Sequence, residues 1–416
     1  MIFHIDLDCY YCSAERVRNK ALRGIPIAVG GGDRTSKLFA KKTQNLKVFQ
    51  ENQGAFVRPV YHSSNSLVNQ NAYRGIVVTS SYEARAKGVK TAMSINEALK
   101  LCPNLTIIPP DHLYYHKLSV KLHLLLQELI PVVEQASIDE FYCDISGLQE
   151  AKNPQKFALH VKEIIEDKLS LPLSIGIAHT KRIAKLATND AKPNGIRFVR
   201  QEEVIDFVRN KPIKDFPGLG KSFEKKLLSY GIRTLGEALG AKHLFQRWGN
   251  HATELYLALQ GQDRQKVNPE SKRKSIGISR TFEPEQNREE IQRRVLIFAR
   301  HLTFMVKKLG LHPASFYLKI RYTYGLKEEA RHTEYRLFHE KMLKEIMLRL
   351  YKKSDTHPNL AITFLYMSVN NFIEHNKKSV SLLDFEEDKK QNLLQDSLYK
   401  IRQKYGLDAI KGAKEI

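Results

Sequence analysis

Cysteine is scarce in this chain, with four in 416 residues. That is too few for a disulfide framework. Cys9 and Cys12 form a Cys-x-x-Cys, a spacing used in redox chemistry or as half of a zinc site. No second pair completes a zinc set, and both residues lie inside the strand-to-helix passage of a longer motif, so reduced thiols in a cytoplasmic protein are expected. Long apolar runs are also missing: none approaches the roughly 18–20 residues that span a bilayer. The N-terminus has no basic region and carries Asp6 early, which argues against a signal peptide and for a cytoplasmic chain with no membrane partner. Acidic residues are few: 45 Asp and Glu stand against 67 Lys and Arg, giving a net charge of +22 and a pI of about 9.6. Such a balance favours a polyanion partner, and with the membrane set aside that partner is nucleic acid. At 42% hydrophobic the chain can bury real cores, and its length fits three or four domains of roughly 100–200 residues.

What is present begins with two acidic motifs far apart in the chain. Met1-Ile2-Phe3-His4-Ile5-Asp6-Leu7-Asp8-Cys9-Tyr10-Tyr11 and Ala136-Ser137-Ile138-Asp139-Glu140-Phe141-Tyr142-Cys143-Asp144 each read as a buried strand that delivers carboxylates from apolar surroundings. Hard divalent cations take anionic oxygens, and a two-metal site needs several converging at one point. Asp6, Asp139 and Glu140 supply three, and the Leu7 carbonyl a fourth. In such a site one ion activates a hydroxyl nucleophile and the other holds a triphosphate, so the chemistry is phosphoryl transfer. Asp8 and Asp144 flank the motifs and read as structural or solvated.

Between the acidic motifs, the pattern predicts a helix over 11–20 and a strand over 26–29, broken by Gly30-Gly31-Gly32. Residues 31–75 are polar and rich in Asn, Gln and Ser, and read as a surface insertion. A strand over 76–79 follows, then Ser81-Tyr82-Glu83-Ala84-Arg85 opening a helix, a helix over 95–101, a strand over 105–108 and a long helix over 114–129. Beyond the second motif come a helix over 157–169, a strand over 173–178 and a helix over 180–191, closed by the turn Lys192-Pro193-Asn194-Gly195. Phe216-Pro217-Gly218-Leu219-Gly220-Lys221, followed by a helix to Tyr230 and the stop Gly231, has helix-hairpin-helix spacing. Its glycines let backbone N–H groups approach a phosphate and Lys221 adds charge, so DNA-backbone binding is preferred to a plain glycine-rich loop. After a basic linker over 266–274, strands (315–324, 360–369) mix with helices (291–309, 340–352). Residues 272–353 hold twenty Lys and Arg against nine Asp and Glu, which reads as a phosphate-tracking face. The tail from Lys377 carries the apolar patch Ser379–Phe385. Beyond it Leu394, Leu398, Ile401 and Tyr405 recur at helical spacing, a helix that either docks on its own body or presents a partner-binding face.

The two acidic motifs, Ser81–Arg85, Ala191–Gly195, Pro217–Gly220 and Arg273-Lys274-Ser275-Ile276-Gly277 occur in one order. This arrangement resembles the Y-family translesion DNA polymerases, UmuC-like enzymes among them, over nearly everything from Met1 to about Val369. The resemblance implies an α+β right-hand polymerase. Its palm would be 1–10 and 110–199, its fingers 11–109 with the insertion 31–75, and its helical thumb 200–265 with the helix-hairpin-helix. A C-terminal little finger would occupy 272–370 and a tail 371–416. It implies template-directed DNA synthesis by two-metal nucleotidyl transfer, in error-prone translesion synthesis and DNA repair. Asp6, Asp139 and Glu140 would be catalytic and, with the Leu7 carbonyl, would hold two Mg²⁺ ions. Tyr82, Arg85 and Lys192 would contact the triphosphate: Arg clamps phosphate oxygens, Lys supplies a point charge, and Tyr donates a hydroxyl. Tyr10 and Tyr11 would lie under the sugar, with Tyr11 at the steric gate that collides with a ribose 2′-OH. Gly218, Gly220, Lys221, Arg273 and Lys274 would contact DNA. Partners would be primer-template DNA and deoxynucleoside triphosphates, with the enzyme a monomer. Ser379–Phe385 looks like a degenerate sliding-clamp-binding peptide. A nucleotidyl cyclase would also pair acidic residues around two metals, but it needs neither the hairpin nor the basic C-terminal domain. A non-catalytic DNA-binding relative would have lost a carboxylate, and all three are present.

Overall fold

The computed structural model describes residues 1–32, 47–49, 60–62, 74–270, 273–373 and 384–416. The expected insertion, apart from its margins and the paired short strands Lys47–Phe49 and Val60–His62, lies outside the described residues. Among the described residues the chain divides into two bodies, one made of 1–32 and 74–270 and the other of 273–373 and 384–416 together with the short strands Lys47–Phe49 and Val60–His62.

The first body is organised by a five-stranded sheet in the order Ile196–Phe198, Leu173–Ala178, Ile2–Leu7, Glu140–Asp144, Val132–Gln135. The opening strand is central and antiparallel to both neighbours, and it sets Asp6 opposite Glu140. Its side chains alternate between faces, as the period of two requires. Phe3, Ile5 and Leu7 enter a core with Leu122, Leu126, Val161 and Ile165 from the helices His112–Leu129 and Pro154–Leu169. His4 and Asp6 point to the other face, which the helix Lys181–Ala191 covers. That helix lies directly on the strand. A Cβ built on Gly176 would fall 2.0 Å from the Ala184 carbonyl oxygen, so only glycine permits this approach. A smaller sheet joins Ile27–Gly32, Arg74–Ser80 and Thr106–Ile108. Here the expected break at Gly30-Gly31-Gly32 does not occur. The strand runs on through the glycines with register shifts, and a Cβ on Gly30 would meet the Ile76 carbonyl oxygen at 2.5 Å. Short helices between Val204 and Leu259 complete the body where the thumb was expected.

The second body is a four-stranded antiparallel sheet in the order Ser275–Glu285, Ile362–Phe372, Pro313–Tyr322, Lys327–Thr333. One sheet face packs on the helices Arg288–Lys308 and Glu340–Ser354 through Phe316, Leu318, Ile320, Leu365 and Met367. The other face carries Tyr317, Lys319, Arg321, Phe364 and Tyr366, with Arg321 over the Phe364 ring and Tyr317 edge-on to Tyr366. The strand Lys327–Thr333 escaped the sequence reading because its Lys-Glu-Glu-Ala-Arg-His-Thr composition is that of a charge-protected edge.

The tail set apart from the sequence belongs to this second body. Its helix Phe385–Tyr405 and the terminal turn fold back on both long helices. Arg300, 1% exposed, bonds to Asp408 at 2.8 Å, Glu415 at 2.5 Å and the Leu407 carbonyl at 2.5 Å. Glu340 pairs with Lys344 at 2.7 Å and with Arg402. Burial pushes the Glu340 carboxyl up, but these two cations outweigh it and hold the group below the usual carboxylate range. Asp388, fully buried, takes Arg336 at 2.7 Å and His339 at 3.0 Å. Arg300, Lys307, Arg336, Lys341 and Lys344 all go to tail carboxylates. Part of the basic excess over 272–353 is therefore neutralised within the body and is not a free phosphate-tracking face.

Candidate active site

Asp6 is the next-to-last residue of the central strand and Glu140 the first residue of the strand beside it. Asp139 is not on a strand, as the sequence reading had it, but on the turn just before. Ser137 shapes that turn. Its hydroxyl accepts from the backbone N–H of Asp139 at 3.2 Å and of Glu140 at 3.0 Å, and donates to the Asp139 carboxylate. The Leu7 N–H donates to the Asp139 carbonyl at 3.0 Å, which ties the two acidic segments together. The strand then passes into the helix Tyr10–Arg18 through Cys9, at φ 46°.

Charge is crowded here. Burial, with repulsion from Asp139 and Glu140, overrides Lys192 and pushes Asp6 up to about 7. Burial also raises Asp139 against the Ser137 hydrogen bond. Lysines answer this charge: Lys192 Nζ sits 2.7 Å from Asp6, and Lys185 Nζ lies 2.7 and 2.8 Å from the Glu140 oxygens. With each carboxylate turned to a partner, no group of three acidic, His or Cys side chains forms a ready metal cage among the described residues. The donor set itself fits hard divalent cations: three carboxylates on adjoining segments, largely buried, with more negative charge than the fold neutralises at low cost.

Lys185 was missed from the sequence. The available signal was its spacing with Lys181 and Lys192, which places them along one side of the helix and its exit. His4 was also missed. Its ring packs at a tilt of 56° against Tyr142 with centroids 4.6 Å apart and lies 2.8 Å from the Thr188 hydroxyl. Burial and the nearby lysines push it well below the usual imidazole range, so it is neutral.

Asp8 is structural, and more than a bystander. Only 2% exposed, its carboxylate accepts from Tyr82 Oη at 3.1 Å, Ser174 Oγ at 3.0 Å and the Asn194 N–H at 2.6 Å. It thus ties the helix carrying Tyr82 and Arg85 to the loop after Lys192. Arg85 lies over the Tyr82 ring at 5.1 Å and donates to the Ser80 carbonyl at 3.0 Å. The expected triphosphate residues are therefore gathered at one end of the sheet with the carboxylates.

The two tyrosines divide. Tyr10 is 2% exposed and gives its hydroxyl to the Tyr115 carbonyl. It is core, and the expectation that its ring lies under a sugar is corrected. Tyr11 is only partly buried. Cys9 and Cys12 are buried free thiols raised by burial to about 11 and about 12, which removes the redox reading. Of the expected DNA contacts, Gly218 (φ +103°) forms the hairpin turn, Gly220 caps the helix Lys221–Ser229, and Lys221 is exposed at its start. Arg273, half-buried, and Lys274, exposed, belong to the second body, just ahead of its first strand.

An acidic trio on a palm-like sheet, ringed by Lys and Arg suited to phosphate, defines a nucleotidyl-transfer polymerase fold. Family models for the impB/mucB/samB family match residues 5–189, for its C-terminal domain 273–382, and for its helix-hairpin-helix motif 201–232. DNA polymerase IV 1 of Bacillus subtilis (strain 168) is 30% identical over 99% of this chain and 92% of its own. DNA polymerase IV of Pasteurella multocida (strain Pm70) is 28% identical over 78% of this chain and 81% of its own. The structure of a Y-family polymerase chimera of Dbh and Dpo4 superposes with a TM-score of 0.73 at 22% identity, over 89% of this chain and all but 1% of that one, which covers 99%. An insertion ternary complex of Dbh DNA polymerase gives 0.58 at 20% identity over 89% and 99%. The chain belongs to the impB/mucB/samB family of Y-family translesion DNA polymerases.

Proposed function

We propose that this DNA-directed DNA polymerase performs translesion synthesis with Asp6, Asp139, Glu140 and the Leu7 carbonyl as the ligands of two Mg²⁺ ions. The observation that carries the assignment is the convergence of three carboxylates at one end of the palm sheet, with Asp6 opposite Glu140, the Leu7 N–H on the Asp139 carbonyl, and Lys192 and Lys185 each 2.7 Å from a carboxylate oxygen. The family requires a divalent metal. When bound, the ions supply activation of a primer 3′-hydroxyl and neutralisation of triphosphate charge. The chain's own groups do the rest. Arg85 and Lys192 meet the triphosphate, and Lys192 can exchange Asp6 for a phosphate oxygen as its counter-charge. Tyr82 is held in place by Asp8 and adds its side chain to the same contact. Tyr11 excludes the ribose 2′-OH.

Primer-template DNA and deoxynucleoside triphosphates are the partners. Gly218, Gly220 and Lys221 present backbone N–H groups and a cation to one DNA backbone. In the second body Arg273, Lys274 and the sheet face with Lys319 and Arg321 do the same. The chain acts as a monomer in the cytoplasm; among the described residues no helix is long and apolar enough to cross a membrane. Most of Ser379–Phe385 lies outside the described residues. Its Leu382, Leu383 and Phe385 still support a sliding-clamp contact, now from a connector whose two flanks are both anchored in the C-terminal body. Primer extension with Mg²⁺ tests the central assignment. Asp139→Ala or Glu140→Ala should lower the rate roughly a thousandfold or more, and near-parental extension by either would overturn it.

A further inference from the structure

If Tyr11 is the sugar gate, something must hold it still. Excluding one oxygen atom demands that the blocking group stay within about 0.5 Å of its place. Tyr11 lies in the first turn of its helix and is only partly buried. Its ring lies flat on Tyr115, with centroids 4.3 Å apart and planes at 17°, and edge-on to His112 at 5.9 Å.

Tyr115 is itself fixed at three points. Its ring has no exposure. Its hydroxyl donates to Glu15 Oε1 at 2.5 Å, and its carbonyl receives the Tyr10 hydroxyl. Glu15, 3% exposed, is held by Nε and Nη2 of Arg18 at 2.8 and 2.6 Å. Arg18 reaches on to Asp111 at 2.9 Å, whose carboxylate caps the helix that carries Tyr115 by accepting from the Tyr114 N–H at 3.1 Å. A core position needs only a ring. Here a buried carboxylate with its own guanidinium is spent on the hydroxyl, which fixes the ring's place as well as its presence. The chain Asp111–Arg18–Glu15–Tyr115 links the two helices on which Tyr11 and Tyr115 stand.

We propose that Tyr115, anchored by Glu15, is a positioning residue for sugar discrimination: it backs the Tyr11 ring so that the ring cannot swing away from a ribose 2′-OH. This rests on the gate reading of Tyr11 and adds the group that makes the gate rigid. Tyr115 does not touch substrate; it acts through Tyr11.

The test is single-nucleotide primer extension by the full chain, comparing kcat/KM for a deoxynucleotide and the matching ribonucleotide on one template. Tyr11→Ala should collapse the ratio. Tyr115→Leu should lower it roughly threefold to tenfold, the share that an aromatic stack contributes, with deoxynucleotide kcat/KM close to parental. Tyr115→Phe keeps the stacking face and should retain a ratio above that of Tyr115→Leu. Tyr11→Ala/Tyr115→Leu should match Tyr11→Ala alone, because the backing residue has nothing left to back. If Tyr115→Leu does not fold, Glu15→Gln carries the test, since it loosens the anchor at constant size and should also lower the ratio. A ratio unmoved in Tyr11→Ala overturns the gate reading and this proposal with it. A ratio that collapses in Tyr11→Ala but stays parental in Tyr115→Leu, or in Glu15→Gln where that variant carries the test, leaves the gate and overturns the positioning role.

Discussion

Replacing Arg300 with methionine tests whether the tail is structure or tether. Arg300 is buried and serves Asp408 and Glu415, which are 7% and 2% exposed. Methionine fills much of the same space but leaves two carboxylates inside the body without their shared cation. Lys344 still reaches Glu415 at 2.5 Å, so Asp408 bears most of the loss. Breaking a buried ion pair from one side typically costs about 3–5 kcal/mol. In a body of this size each kcal/mol lowers Tm by roughly 2–4 °C, so a fall of roughly 10 °C is expected. Calorimetry and urea unfolding of the full chain measure it. Arg300→Met/Asp408→Leu/Glu415→Leu should recover much of the loss, because replacing a whole buried network with apolar groups is often neutral. An Arg300→Met protein within about 1 kcal/mol of its parent would refute the reasoning, since it would mean that the tail leaves the helices at little cost.

The remaining expectations concern the active-site end of the sheet. Asp6 sits near 7 in the metal-free protein, and a protonated carboxyl cannot ligate a cation. The Mg²⁺ concentration for half-maximal extension should therefore rise as pH falls, by roughly fivefold over the unit below 7 and by about tenfold from pH 8 to pH 6; equal requirements at pH 6 and pH 8 would contradict it. Asp8→Asn brings an amide N–H₂ into a pocket where Tyr82, Ser174 and Asn194 all donate. It should cost about 1–3 kcal/mol in urea unfolding, and a neutral result would mean these bonds are not maintained in solution. Gly176→Ala forces the helix Lys181–Ala191 off the sheet and should lower both Tm and extension, with a stability loss of about 1–3 kcal/mol or more; parental values for both would show that the approach is looser than described.

The carboxylate strands were legible because burial and charge conflict in them: an Asp at the end of an apolar run signals a site wherever the strand lies. One helix start was equally readable from its cap, at Ser81, whereas the cap Asp111 was passed over and the helix it opens at His112 was expected only from Tyr114. Contacts that depend on packing two distant segments were not. Tyr10 and Tyr11 look alike in sequence, yet one faces the core and the other the site, because helix phase rotates successive residues by about a quarter turn or more. Asp139 looked like a strand residue, since the Ser137 turn that presents it leaves no pattern of its own. The tail misled for a related reason. Its buried face is made of Asp388, Gln395 and Arg402, so its docking is largely polar and ionic, with Tyr399 against Phe304 as a ring contact, and is invisible to a search for apolar stripes. Its Leu394, Ile401 and Tyr405 are left outward.

The central place of Ile2–Leu7 in its sheet has a consequence for biosynthesis. Ile2–Leu7 leaves the ribosome before both of the strands that must flank it, Glu140–Asp144 and Leu173–Ala178. At translation rates of about 5–20 residues per second, its second neighbour emerges roughly 10–30 s after it. Through that interval an apolar strand with two unpaired edges waits in a chain that cannot yet close its core. Long-range pairing of this kind folds slowly and exposes aggregation-prone edges. The yield of active enzyme should therefore respond to chaperone supply and to translation speed, so that the amount of working polymerase is governed in part by how the palm is assembled as well as by how often its message is read.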